Sequence, residues 1–135
     1  MQIERREFMT MAGAAVTALP GNAFSKGAQT MYGLIGKMTA VAGKRDELIS
    51  ILLEGVAGMP GCLSYVVAKD PTDADAIWIT EVWESEQSHK ASLSLPAVKQ
   101  AITRGKPLIA GFSNGTVTEP VGGHGLTPVK NGKTK

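Results

Sequence analysis

Most of the side chains able to do chemistry crowd into one stretch of this 135-residue chain, IWITEVWESEQSHKASLSLP at residues 77–96. It holds both tryptophans, Trp78 and Trp83, one of the two histidines, His89, and Ser92 on the same helical turn. An imidazole titrates near neutrality, so His89 can act as a general base. Beside Lys90 it reads equally as a solvated helix residue. Trp83 can wall an aromatic pocket or pack as ordinary core. Tyr65 can offer a phenol to a bound molecule or bury its ring with the hydroxyl bonded. Glu81, two residues before Trp83, reads as a buried and paired carboxylate, as a rim charge, or, last of the three, as a base. Arg104 and Lys106 can hold an anion or simply face water. Cys62 is the single cysteine, so no intrachain disulfide can form. No basic residue adjoins it in sequence, and it reads as a small buried hydrophobe. His124, set between glycines, reads as solvent-exposed. Two separated histidines and one cysteine give no metal-ligand spacing, so no metal site is expected.

These groups need elements to position them. MYGLIGKMTAV (31–41) has the character of a strand, with two glycines that weaken it or admit a close neighbour. AGKRDELISILLEGV (42–56) predicts a helix with Leu48, Ile51, Leu52 and Val56 on one face, stopped by GMPG at 58–61. CLSYVVA (62–68) predicts a second strand, with Leu63, Tyr65 and Val67 on one face and Cys62, Ser64 and Val66 on the other. The turn-forming KDPTDAD (69–75) joins it to AIWITEVW (76–83) as an antiparallel hairpin. On that third strand Ile77, Ile79, Glu81 and Trp83 face one way and Trp78, Thr80 and Val82 the other. Ser85 is a fair N-cap for a short helix to about Leu93. Ser94 is the candidate cap of a further segment whose first turn tolerates Pro96 and whose apolar stripe is Val98, Ala101 and Ile102. PLIAGFSNGTVTEPV (107–121) contains the last strand, beginning or bulging around Gly111 and Asn114–Gly115. The order β-α-β-β-α-β is the ferredoxin-like, split βαβ plan: an antiparallel α+β sheet with both helices on one side. The other face also carries a tryptophan and needs a cover, which a second copy of the sheet would supply as a barrel-like homodimer.

Composition excludes several partners. There are 14 basic and 12 acidic residues for a net charge of +2, and no basic run exceeds two residues. That is no footprint for nucleic acid. Residues 1–30 read as a leader: ERREFMT (4–10) sets Arg5–Arg6 ahead of Phe8 and Met9, an uncharged run follows to Phe24, and GNA (21–23) offers a cleavage site. The segment resembles a bacterial twin-arginine signal, which implies a periplasmic or exported protein. As an arm that stays attached it would leave the protein cytoplasmic. The run is too short and too rich in Gly and Ala for stable membrane insertion. Residues 31–121 form the expected domain, and 122–135 a Gly- and Lys-rich tail.

GMPGCLSYVVAKDP (58–71), AIWITEVWES (76–85) and SLPAV (94–98) together resemble the antibiotic biosynthesis monooxygenase family, small dimeric α+β barrel proteins that include quinol monooxygenases. The resemblance spans about residues 31–121. It implies a cofactor-independent monooxygenase acting with O2 on a quinol- or anthrone-like small aromatic, as a homodimer. It also leaves room for a non-catalytic small-molecule-binding or stress-protective dimer, and for an isomerase or lyase of a small carbonyl compound. Many members carry a histidine nine residues after the strand-end Trp. Here that position is Ser92, and His89 stands nearly one turn earlier on the same helix face. The implied site is then His89 as the catalytic base, with Trp83, Tyr65 and Ser92 binding substrate. The haem-degrading branch is similar only in fold: its Asn, Trp and His positions fall here on Gly36, Ser92 and Ile102.

Overall fold

The computed structural model describes residues 30–126. The expected leader with Arg5 and Arg6, and residues 127–135 of the expected tail, lie outside them. Strand β1 (Tyr32–Ala40) is followed by helix α1 (Arg45–Gly55), the hairpin β2 (Cys62–Lys69) and β3 (Ala76–Trp83), and helices α2 (Glu86–Ser92) and α3 (Pro96–Gly105). A 3-10 turn (Lys106–Leu108) leads into β4 (Ile109–Thr118). The strands lie in the order β2-β3-β1-β4, every neighbouring pair antiparallel. This is the ferredoxin-like α+β plan expected of the element order.

Alternation decides which sheet face is the core. On β1 Tyr32, Leu34, Gly36, Met38 and Ala40 are buried, while Ile35 is 37% exposed and Lys37 and Thr39 are half-buried. On β3 Ile77, Ile79 and Trp83 are buried and Thr80 is exposed. The helices cover this face. Leu48, Ile51 and Leu52 of α1, at helical spacing, are buried against it. Acidic Asp46 and Glu47 occupy the first turn of α1, where they complement the helix dipole in the absence of a side-chain cap. Gly55 lets α1 and α3 approach, since a Cβ there would stand 2.6 Å from that of Ala101.

The core divides in two. Met38, Ala40, Leu48, Leu52, Ile77, Ile79 and Ile109 form an aliphatic cluster. Tyr32, Leu34, Met59 and Trp83 form a second, against which Cys62, Leu95, Val98 and Val117 pack. Tyr65 touches both.

Three expectations change in detail. A bulge between Cys62 and Ser64 resets the alternation of β2, so Cys62 pairs with Trp83 and shares the core face with Tyr65 and Val67. The N-cap of α3 is Leu95, without a side-chain bond, because Ser94 lies one residue too early. The last strand begins at Ile109, and its register shifts fall opposite Thr39/Ala40 and Ile35/Lys37, next to Gly111 and at Asn114–Gly115. Asn114 takes a left-handed φ of 56° there. Among the described residues no helix is long and apolar enough to cross a membrane.

Candidate active site

The register places the site. Across the sheet's core face Tyr65 pairs with Glu81, Glu81 with Leu34, and Leu34 with Val117. One row along, Trp83 lies between Cys62 and Tyr32. Helix α2 closes this end. Its N-cap Ser85 accepts a hydrogen bond from the Ser88 N–H at 3.1 Å. Gly61, at a φ of 82°, presses so close that a Cβ would stand 2.6 Å from that of Ser88, and its carbonyl accepts from the Glu84 N–H at 2.9 Å. With the first turn held at both points, His89 and Ser92 turn inward and are each 4% exposed.

His89 therefore belongs to the interior. Its ring meets Trp83 edge-on at 5.3 Å between centroids and tilts against Tyr32 at 5.5 Å. Its Nε2 stands 3.9 Å from Glu81 Oε1. That is beyond a hydrogen bond and leaves a gap a hydroxyl can bridge. The same Glu81 oxygen accepts the Trp83 indole N–H at 2.8 Å.

Burial dominates the electrostatics. It pushes the Glu81 carboxyl up from 4.5 to about 7, with the Trp83 N–H pulling it partly back. It pulls His89 down from 6.5 to about 4, while Glu86 acts to raise it and Lys90 to lower it. Neither a charged pair nor the near-neutral imidazole expected from the sequence results. In neutral water His89 is uncharged and Glu81 is the group that titrates. Burial and the charges of Glu86 and Glu81 raise the Tyr32 phenol to about 12. Burial, then Glu81 and Cys62, hold Tyr65 well above 10, and burial also raises Cys62.

Between sheet and helices lies a cavity with about 80 Å³ of free space. Trp83, Tyr65, His89, Ser92 and Glu81 all line it, so every site residue expected from the sequence comes to one place. The Ser92 hydroxyl is spent on the helix, donating to the His89 carbonyl at 2.6 Å. Glu81 is buried rather than a rim charge, and its hydrogen-bond partner is the Trp83 indole, not an opposite charge. Tyr32 is the residue sequence reasoning passed over. The split βαβ order already sets β1 beside β3, so the alternating patterns of the two strands could have paired it with Trp83. Arg104 forms an exposed ion pair with Glu54 at 2.8 Å and does not line the cavity. His124 is exposed, as expected. Among the described residues no three His, Cys, Asp or Glu side chains converge to hold a metal.

A one-sided antiparallel sheet, roofed by helices over a cavity that buries a carboxyl beside an imidazole, defines a ferredoxin-like α+β domain with an interior site. The chain belongs to the antibiotic biosynthesis monooxygenase family, whose model matches residues 31–104. A Chloroflexus aurantiacus protein carrying that family's name is 67% identical over 72% of this chain and 99% of its own, with a TM-score of 0.71. Two more distant structures show the fold alone. One from Caulobacter crescentus is 22% identical over 68% of this chain and 89% of its own, TM-score 0.59. One from Nitrosomonas europaea is 11% identical over 69% and 92%, TM-score 0.63. No curated protein matches the chain.

Proposed function

We propose that the protein is a cofactor-independent monooxygenase that oxidises a quinol-type hydroxyaromatic with O2, using Glu81 as base and His89 as its neutral partner. The observation that carries this reading is the 3.9 Å gap between Glu81 Oε1 and His89 Nε2 inside an apolar cavity walled by Trp83. A phenolic hydroxyl seated beside that gap, within hydrogen-bond reach of both atoms, gives its proton to ionised Glu81, while His89 donates a hydrogen bond to the phenolate. The electron-rich anion passes one electron to O2, and the resulting radical and superoxide combine at a ring carbon. Glu81 returns the proton to the peroxide, whose O–O bond breaks as water leaves. One oxygen atom ends in the product and the other in water, and the substrate supplies both electrons and both hydrogens.

This assignment moves the base from His89 to Glu81. An imidazole held near 4 is a weak base, whereas a carboxyl held near 7 is matched to neutral water. The test is oxygen uptake with a panel of quinols and anthrones, with and without chelator. The expected rate rises with pH through a midpoint near 7 as Glu81 ionises. His89→Phe is expected to lower it about tenfold with the midpoint moved little. No uptake with any substrate overturns the proposal; a chelator-sensitive rate overturns its cofactor-free part.

We further propose that the open sheet face joins a second copy of the chain. Ile35 and Val66 stand on it 37% and 51% exposed, and the family resemblance implies dimeric α+β barrels. Sedimentation should give a dimer; a monomer at micromolar concentration would refute it.

A further inference from the structure

His89 is buried without the contact that commonly fixes a working histidine. An imidazole is ordinarily oriented by a hydrogen bond from its second nitrogen to a carboxylate or carbonyl. Among the described residues no hydrogen bond reaches either nitrogen of the His89 ring, and Glu81 Oε1 stands 3.9 Å from Nε2. The Ser85 cap and the close approach of Gly61 hold the backbone of α2, but they leave the two side-chain torsions of His89 free to turn. Two aromatic rings restrain them. Tyr32 and Trp83 are direct partners across β1 and β3 on the core face, so their side chains stand next to each other at this end of the sheet. The imidazole meets Trp83 at 5.3 Å and 74°, and Tyr32 at 5.5 Å and 39°. Both separations lie in the range of attractive ring contact, and the two walls are inclined differently, so together they set the plane of the imidazole.

The two walls are not equivalent. Trp83 also lines the cavity and donates to Glu81. Tyr32 is 6% exposed and does not line the cavity, so it is not placed to touch a molecule held there. Its phenol, pushed up to about 12, stays uncharged in neutral water. We propose that Tyr32 is a positioning residue: its ring, together with that of Trp83, holds His89 with Nε2 turned toward Glu81. Packing sets the plane, and the ionised Glu81 oxygen then favours the proton on Nε2 and disfavours the flipped ring, which would present Nδ1 or a carbon instead. The consequence for catalysis rests on the proposed oxidation; the holding of the imidazole rests on the geometry alone.

The experiment has two arms. Nitrogen-15 spectra of His89, taken without substrate or oxygen at a pH above the Glu81 midpoint, read its tautomer. Wild type and Tyr32→Phe should show a single form with the proton on Nε2, and Tyr32→Leu a mixture of the two forms. In the second arm, oxygen uptake, Tyr32→Leu should lower kcat about fivefold with KM kept within about twofold. Tyr32→Phe, which keeps the ring, should recover most of that loss. In a His89→Phe background the same Tyr32→Leu change should cost less than about twofold, because no imidazole is left to place. Tyr32→Met serves as the second ring-free variant should the leucine fail to fold. Equal losses in the two backgrounds, or an unmixed tautomer in the ring-free variant, overturn the proposal. So does a Tyr32→Phe that loses as much as Tyr32→Leu, since the hydroxyl and not the ring would then be at work. A mixed tautomer in a protein that oxidises no quinol would remove the oxidation and leave Tyr32 as the residue that holds His89.

Discussion

Two indoles on opposite faces of one strand each donate to a carboxylate, and the two carboxylates end in opposite states. On the open face Trp78 donates to Asp70 Oδ2 at 2.9 Å. Asp70 also accepts from the Thr72 N–H and hydroxyl, each at 2.8 Å, and has Lys37 Nζ at 3.6 Å. These donors, Thr72's N–H first, hold its carboxyl well below the ordinary range. On the core face Trp83 donates to Glu81 at 2.8 Å, and burial with that one donor lifts the carboxyl to about 7. The indole bond is nearly the same length in both. The number of other donors and the apolar surroundings decide the charge. Asp70 is a structural anion that ties the β2–β3 turn, whereas Glu81 is held close to its titration point.

The sharpest way to break this comparison is to make both carboxylates amides. Glu81→Gln keeps an acceptor for the Trp83 N–H but cannot take a proton, and oxygen uptake should fall at least about 100-fold. Asp70→Asn should leave uptake within about twofold, because it lies on the other side of the sheet, and its cost should appear in thermal stability instead. Comparable losses of activity in both would mean that the core-face carboxyl has no special role.

A smaller effect concerns stability against pH. The folded protein keeps the proton on Glu81 up to about 7, while the unfolded chain releases it near 4.5. Taken alone, that contribution is present at low pH and lost as pH rises through 4.5 to 7. His89 does the opposite: the folded state keeps it neutral down to about 4, while the unfolded chain binds a proton below 6.5. Its contribution is present at high pH and lost as pH falls through 6.5 to 4. Between about pH 4.5 and 6.5 the folded and unfolded states therefore hold the same number of protons on this pair, and the two slopes cancel. Glu81→Gln should expose the His89 slope, stability rising by about 1.4 kcal/mol per pH unit across that window. His89→Phe should expose the opposite slope. Urea titrations at several pH values measure both, and parallel slopes in the two variants would sink the pairing.

The fold was legible because alternation and helical spacing are local. Tyr32, Leu34 and Met38 on β1, and Ile77, Ile79 and Trp83 on β3, announce their face in the chain itself. The grouping of the candidate residues was legible too, since the hairpin and the following helix bring Tyr65, Trp83, His89 and Ser92 to one cavity through short connections. Their states were not. His89 stands between Ser88 and Lys90 and looks solvated; only the clamp of Gly61 on Ser88 shows which way α2 rolls. The bulge after Cys62 turns a residue to the core that simple alternation sends outward. The rank of Glu81 depends on its burial, and although its donor Trp83 is two residues away, the side chains that shut out water come from strands and helices distant in sequence.

The smallest effect tests the donor count one bond at a time. Trp83→Phe removes the one hydrogen bond that lowers the Glu81 carboxyl, so its titration midpoint should climb above 7 by about one pH unit. Trp78→Phe removes one donor of several from Asp70, which still accepts both bonds from Thr72 and keeps Lys37 close. Asp70 should then stay ionised throughout the range in which Glu81 titrates. Carbon-13 shifts of the two side-chain carboxyls, followed against pH in each variant, read both midpoints directly. A Glu81 midpoint that falls in Trp83→Phe would mean that water entering the space left by the indole solvates the carboxylate better than the indole N–H did. In that case exclusion of water by Trp83, rather than scarcity of donors, would be what sets Glu81 apart from Asp70.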